Sequence, residues 1–305
     1  MKKFIIIDAL AVLHRAWHAL PRLATPEGKI VNAVYGFTSF ILKILKEEKP
    51  EFLVVVYDTP APCFREKEFK EYKANRVAQP QEFYDQIPLS EKVLKAFSIN
   101  FFSYPGFEAD DLVSTIKKKL GECHEAYQTI IFTGDRDLFQ LIDKKTQVAF
   151  LKQNISQTRL YGENEINKEY QGLTPRQLID LKALMGDQAD NIPGVKGIGP
   201  KKALSLLSKY GNLENIYEAI ERGDLKEKEI NEKILKTLIK EKDKIILFKN
   251  LFILRSDLNL KNFRPENCRL LKFDKEEIRK IFNELGFKSL LLRLEKIETQ
   301  QKALF

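Results

Sequence analysis

The 305-residue sequence predicts an α/β protein: a central, mostly parallel sheet flanked by helices, followed by a helical C-terminal lobe. Three observations predict it. Short β-branched and aromatic runs alternate with longer stretches of helical apolar periodicity. Three of those runs end in an aspartate: FIIID at Asp8, FLVVVYD at Asp58 and TIIFTGD at Asp135. After Gly172, strand signals fade and short helical stretches separated by glycine and proline take over.

Each element has its own signal. A strand at 3–7 leads into a helical region, and NAVYGFTSFILKILKEE predicts a helix over 32–48. FLVVVY gives a strand at 52–57. QEFYDQIPLSEKVLKAFSI predicts a helix over about 81–97, with Pro88 near a turn or kink. Strand 99–104, helix 109–120, strand 129–133 and helix 135–142 follow, and TQVAFLK with TRLYG reads as a hairpin at the sheet edge. The expected division is a core over 1–172, a helical lobe over 173–295 and a tail over 296–305. No internal repeat is present, and 226–249 is the one Lys/Glu-rich stretch.

Hydrophobic residues make up 44% and charged residues 31%, the balance of a globular chain with a sizeable core. The net charge of +8 favours polyanionic partners, although biased Lys and Glu usage of the thermophilic kind is an alternative source. The N-terminal apolar run is interrupted by Asp8, His14 and Arg15 and lacks a small-residue cleavage site, which argues against a signal peptide. No stretch approaches a membrane span, so no membrane partner is expected. Cys63, Cys123 and Cys268 have no C-x-x-C spacing and read as reduced thiols of a cytoplasmic protein. His14, His18 and His124 lack a metal pattern, and the first two read as one helix face.

The acidic residues carry the chemistry. Ligands of open parallel sheets bind beyond the carboxyl ends of the strands. Asp8, Asp58 and Asp135 would therefore meet in one crevice. Glu108, Asp110 and Asp111 crowd one helix start, Asp137 follows Asp135, and Asp187 and Asp190 stand three apart on one face. Each alone is explained as a helix cap or a solvated loop residue. Together these nine raise one another's pKa unless a cation neutralises them. Mg²⁺ or Mn²⁺, which prefer oxygen ligands, would do so, and the number of carboxylates suits two ions.

Two further segments suit a phosphodiester. In Asp190-Asn-Ile-Pro-Gly194-Val-Lys196-Gly197-Ile-Gly199-Pro200-Lys201-Lys202, a glycine hairpin between helices offers backbone N–H groups and lysines to phosphate without reading sequence. A plain turn is the alternative. The long connection FREKEFKEYKANR is basic and aromatic; Arg65, Lys73 and Arg76 are candidates to clamp the scissile phosphate and Tyr72 to stack on an exposed base. An exposed amphipathic helix with Glu/Lys pairs explains it equally well.

With FIIIDA, VVYD, FREKEFKEYKANR, GFEADD, TGDRDLFQL and GDQADNIPGVKGIGPKKA in order, the chain resembles the 5′-nuclease (flap endonuclease) superfamily over about residues 3–295. The resemblance is greatest to the 5′-to-3′ exonuclease domain of bacterial DNA polymerase I and its stand-alone relatives. It implies a PIN-like core with a helical arch at about 60–85 and a helix–glycine hairpin–helix DNA clamp. It implies a two-metal nuclease cutting 5′ flaps and 5′ ends near single-strand/duplex junctions in replication, as in primer removal, and in repair.

Asp8, Asp58, Glu108, Asp110, Asp111, Asp135, Asp137, Asp187 and Asp190 match the acidic positions, and Lys73 and Arg76 match basic residues near the scissile phosphate. The resemblance further implies a K⁺ site built from the carbonyls of Leu184, Met185, Pro193, Val195 and Ile198. Ala9 stands where the family usually has glycine. Partners implied are DNA with a 5′ flap, nick or 5′ end, RNA-primed duplex, and a DNA polymerase as a separate chain or outside this sequence; a monomer is expected. A non-catalytic junction scaffold could lose these carboxylates, and a haloacid dehalogenase-type phosphatase would want aspartate where Leu10 stands.

Overall fold

A computed structural model describes residues 1–152, 157–225, 230–261, 263–271 and 273–302. The first half alternates strand and helix: β1 (Lys2–Asp8), α1 (Ala9–Ala19), α2 (Asn32–Glu47), β2 (Phe52–Tyr57), α3 (Phe64–Glu68), α4 (Gln81–Tyr84), α5 (Ile87–Ala96), β3 (Asn100–Ser103), α6 (Ala109–Gly121) and β4 (Tyr127–Thr133). A 3-10 helix over Asp137–Leu141, β5 (Thr146–Leu151) and β6 (Thr158–Tyr161) complete the sheet. The remainder is helical: α7 (Glu163–Glu169), α8 (Gln177–Met185), α9 (Pro200–Tyr210), α10 (Leu213–Glu221), α11 (Glu232–Lys240), α12 (Lys242–Phe252), α13 (Lys275–Glu284) and α14 (Lys288–Lys302).

Among the described residues, six strands form one sheet in the order β3-β2-β1-β4-β5-β6, parallel except for β6 against β5. The central strands are apolar throughout because both faces are covered. In β1, Phe4 and Ile6 enter one core while Ile5 and Ile7 enter the other, and Val54 and Val55 divide likewise in β2. The chain moves outward from β1 through β2 to β3, then returns to place β4 on the other side. That reversal opens a crevice beyond the carboxyl ends of β1 and β4.

One face carries α1, α2 and α5; the other carries α6 and the residues of α8 to α11. The C-terminal segment divides between them. Ile278, Ile281 and Phe282 of α13 and Leu290 and Leu294 of α14 pack with α2 and α5, across the sheet from α8 and α9. A third, smaller cluster joins Cys63 and Tyr72 to Ala183, Ile192, Phe248, Leu251 and Phe252, seating the connection after β2 on α8 and α12.

Two expected helices take a different form. The helix over 81–97 is two helices, because Pro88 lies in the first turn of α5, where its missing N–H and fixed φ suit a start and not an interior. The break has a use: the buried Gln86 side chain accepts hydrogen bonds from Ala33 N (2.8 Å) and Val34 N (3.1 Å), satisfying the start of α2. The helix over 135–142 contracts to the 3-10 turn, since Asp135 Oδ1 accepts from Asp137 N (2.8 Å) and Ile142 is already extended. The three cysteines are free thiols. Residues 226–229 of the Lys/Glu-rich stretch and 303–305 of the tail lie outside the described residues. Among the described residues, no helix is long and apolar enough to cross a membrane.

Candidate metal centre

Four segments deliver carboxylates to the crevice. Asp8 ends β1 and caps α1: Oδ1 accepts from Ala11 N (3.1 Å) and Oδ2 from the Thr133 hydroxyl at the end of β4 (2.9 Å). Asp58, one residue past β2, accepts from Ala109 N (2.7 Å) and so ties that strand to the start of α6. Asp110 occupies the first turn of α6, and Asp135 follows β4.

Burial, and then the neighbouring Asp58 and Asp135 charges, push the Asp8 carboxyl up to about 7. Asp58 is raised by burial, with Glu108 adding. Asp110 is raised well above the usual carboxylate range by burial and by Asp135, Asp8, Asp58 and Glu108. Among the described residues, no lysine or arginine pairs with these four. The nearby cations are committed elsewhere.

Asp137, Asp187 and Asp190 form a second group, each with a carboxylate oxygen within 4.8 Å of the others. Asp187 sits on a short antiparallel bridge to Ile192, which folds the 187–192 loop back on itself. Here cations abound. Lys182 of α8 donates to Asp137 and to Asp187 (2.7 Å), and Arg76 donates to Asp190 (2.9 Å), with Lys73 at 3.9 Å. Burial works against Asp187, but the Lys182 charge and hydrogen bond outweigh it and hold the carboxyl below its usual value. Burial prevails at Asp190, which is raised despite Lys73 and Arg76.

Glu108 stands apart from both groups' extremes. Lys73 donates to Oε1, while Arg65 (3.1 Å) and the Tyr72 hydroxyl (3.0 Å) donate to Oε2. Burial opposes its ionisation, yet Lys73 and Arg65 prevail and the carboxyl is lowered.

Three expectations need correction. Arg65 is 1% exposed and makes a two-pronged ion pair with Asp111 (2.7 and 2.8 Å), also donating to Leu251 O and Ile253 O. It is therefore closed to a phosphate in the crevice. Asp111 is fully buried and also accepts from Glu108 N and Arg255 N (2.8 Å), so its oxygens are spent on capping α6 and on holding the segment that follows α12. Tyr72 is 5% exposed, buried in the small third core with Phe248 and Phe252 and with Lys73 Nζ 4.8 Å from its ring, so its ring offers no face to a base. Sequence pattern could not reveal these pairings, because each joins segments far apart in the chain.

The 72–76 turn is latched onto the 187–191 loop. Lys73 N donates to Asp190 O (3.0 Å), Asn75 to Gln188 O (2.8 Å) and Asn191 to Glu71 O (2.7 Å). Lys73 and Asn191 both have positive φ, 54° and 58°, a strained choice that the latch sustains. Sequence reading missed Lys182, Thr133, Asn75 and Asn191. Only Lys182, just over a helical turn before Asp187, left a spacing signal.

The glycine hairpin lies between α8 and α9. A Cβ on Gly194 (φ 63°) would fall 2.2 Å from Gly186 N, so two backbones touch there. Gly199 caps α9 with Pro200 behind it, and Lys196 and Lys201 are exposed beside that helix start.

The sequence matches the description 5′-3′ exonuclease, N-terminal resolvase-like domain, over residues 3–171, and 5′-3′ exonuclease, C-terminal SAM fold, over 173–276. A 5′-3′ exonuclease of Aquifex aeolicus (strain VF5) is 33% identical over 310 residues, with 100% of each chain covered. DNA polymerase I of Bacillus subtilis (strain 168) is 36% identical over 294 residues, which are 96% of this chain and 32% of that protein. The chain thus spans about a third of the polymerase relatives it matches. The fold is similar to that of the T5 D15 protein co-crystallized with metal ions, at a TM-score of 0.67 and 22% identity, covering 93% of this chain and 98% of that one.

Proposed function

The chain belongs to the 5′-3′ exonuclease family, and from that premise we propose a structure-specific 5′-to-3′ exonuclease and 5′-flap endonuclease that depends on divalent metal. One observation carries the reading: carboxylates from the ends of β1, β2 and β4 and the start of α6 meet in one crevice and, among the described residues, no lysine or arginine is ion-paired with them. The donor set is all oxygen, without thiol or imidazole, which fits Mg²⁺ or Mn²⁺. Asp8, Asp58, Asp110 and Asp135 would hold one ion, with Glu108 at its edge; Asp137, Asp187 and Asp190 would hold a second. Divalent ions held there would lower the pKa of a water and offset charge on a leaving oxygen.

The chain's own groups do the rest. Lys73 and Arg76, poised over Glu108 and Asp190, are the cations a scissile phosphate would meet, and it would compete with those carboxylates for them. Arg65 and Tyr72 are positioning residues that orient Glu108. Water attacks phosphorus, the P–O3′ bond breaks, and the products are a 5′-phosphate and a 3′-hydroxyl. In this reading residues 60–85 are the arch, 1–172 is the nuclease core, and 173–295 is the helical lobe that grips the duplex and also lends Asp187 and Asp190 to the second ion.

The grip is the glycine hairpin. The backbone N–H groups at Gly197 and Gly199 and the side chains of Lys196, Lys201 and Lys202 would take backbone phosphates without reading bases, while Gly194, buried against Gly186, shapes the turn and is closed to a phosphate. A K⁺ at the carbonyls of Leu184, Met185, Pro193, Val195 and Ile198 belongs to the same proposal. The Leu184 and Val195 carbonyls each accept one backbone N–H (2.8 and 3.0 Å), leaving a second lone pair. DNA with a 5′ flap, nick or 5′ end, including RNA-primed duplex, is the proposed substrate, met in the cytoplasm by a monomer beside a DNA polymerase. The test is the double variant Asp110→Ala, Asp135→Ala on an end-labelled flap with Mg²⁺. Loss of cleavage supports the reading, and undiminished cleavage contradicts it.

A further inference from the structure

We propose that Lys182 is the built-in counter-ion of the second carboxylate group and thereby sets the order in which the centre takes up divalent ions. The inference rests on the divalent-centre reading above and adds a role for a residue outside the acidic set. Lys182 projects from α8, and its ammonium donates to Asp137 and, at 2.7 Å, to Asp187. Since those carboxylates and Asp190 offer oxygens all within 4.8 Å, the ammonium already occupies contacts that a shared ion would need. The side chain is only 21% exposed, and Nζ lies 5.3 Å from the Phe252 ring, which leaves it little room to retreat without losing a favourable neighbour.

Two positive charges a few ångströms apart repel strongly in a partly buried site. An ion can therefore join Asp137 and Asp187 only by displacing Lys182. Among the described residues, no lysine or arginine donates to Asp8, Asp58, Asp110 or Asp135, whose bonded partners are backbone N–H groups and the Thr133 hydroxyl, so an ion entering there displaces no side chain. Uptake is ordered: the strand-end group fills first, and the second group fills at higher ion concentration.

The experiment titrates Mn²⁺ into the DNA-free full chain and follows free Mn²⁺ by electron paramagnetic resonance, so no catalytic readout is involved. Wild type shows one strong and one weaker step. Lys182→Met, which keeps the stem over Phe252, strengthens the weaker step by roughly tenfold or more and leaves the stronger one in place. Lys182→Arg keeps the wild-type ratio. Lys182→Gln carries the same expectation as Lys182→Met and replaces it if that variant does not fold. A second step unchanged in both neutral variants overturns the Lys182 assignment while leaving the metal centre standing. A wild type that takes up no Mn²⁺ at all overturns the centre itself.

Discussion

Two groups of carboxylates face one crevice, and the chain surrounds them differently. Asp8 and Asp58, at strand ends, receive backbone N–H groups from Ala11 and Ala109 and a hydroxyl from Thr133, but among the described residues no lysine or arginine donates to them. Asp137, Asp187 and Asp190 lie against α8 and the 72–76 turn, which bring Lys182, Lys73 and Arg76. Both groups are acid-rich and half or more buried, yet burial and repulsion raise Asp8 and Asp110 while Lys182 lowers Asp187. Carboxylate density alone thus does not define an ion site. The fixed cations around it decide how much a divalent ion gains by entering.

The largest expected effect separates the groups directly. Asp110→Ala should cut flap cleavage about a thousandfold, the scale of losing one preorganised charge-stabilising contact. Asp187→Ala should cost clearly less, because Lys182 and Asp190 keep the second group charged and ordered. Equal losses in a single-turnover assay would erase the distinction.

Next comes Asp111, which neighbours the first group in sequence but not in role. Arg65→Ala leaves Asp111 buried without its partner, at a cost of about 3–5 kcal/mol and a fall in Tm of roughly 10 °C. Asp111→Asn should likewise melt lower by calorimetry yet bind the same number of Mn²⁺ ions. A lost ion would return Asp111 to the centre.

How much of this was legible follows from what sequence encodes. The strand-end positions of Asp8, Asp58 and Asp135 could be read because apolar period and strand end are local signals. The three-residue spacing of Asp187 and Asp190 and the hairpin glycines were local too. The Arg65–Asp111 pair spans 46 residues, and Tyr72 shares a small core with Phe248 and Phe252 of α12, partnerships that no local pattern encodes. Pro88 signals only a turn or kink within one helix; what escaped was that α5 starts afresh there and that Gln86, two residues earlier, would cap α2. The crossing of α13 and α14 to the α2 face left no local mark, since an amphipathic helix does not name its partner.

A smaller effect concerns pH. The Asp8 carboxyl, ordinarily near 4 and here about 7, binds its proton more tightly in the folded state. Asp110 shifts in the same direction. Without metal, the stability that Asp8 contributes is complete below pH 4 and is lost as pH rises through about 7, and Asp110 works in the same sense. Asp187, with its lowered carboxyl, works in the opposite sense and loses its contribution as pH falls through its folded value. Saturating Mg²⁺ should therefore raise Tm by roughly 5 °C at pH 8 and by much less at pH 5. An equal rise at both would deny the raised carboxyls. The smallest effect lies at the hairpin: Lys196→Ala with Lys201→Ala should lower the salt dependence of duplex binding by about two phosphate contacts while leaving Mn²⁺ uptake unchanged.

The most direct measurement is an anomalous difference map from Mn²⁺-soaked crystals of the wild-type chain. The account predicts a strong peak bounded by Asp8, Asp110 and Asp135, and a weaker one among Asp137, Asp187 and Asp190 that grows with Mn²⁺ concentration. Manganese bound only elsewhere on the molecule, with the crevice carboxylates untouched, would contradict it.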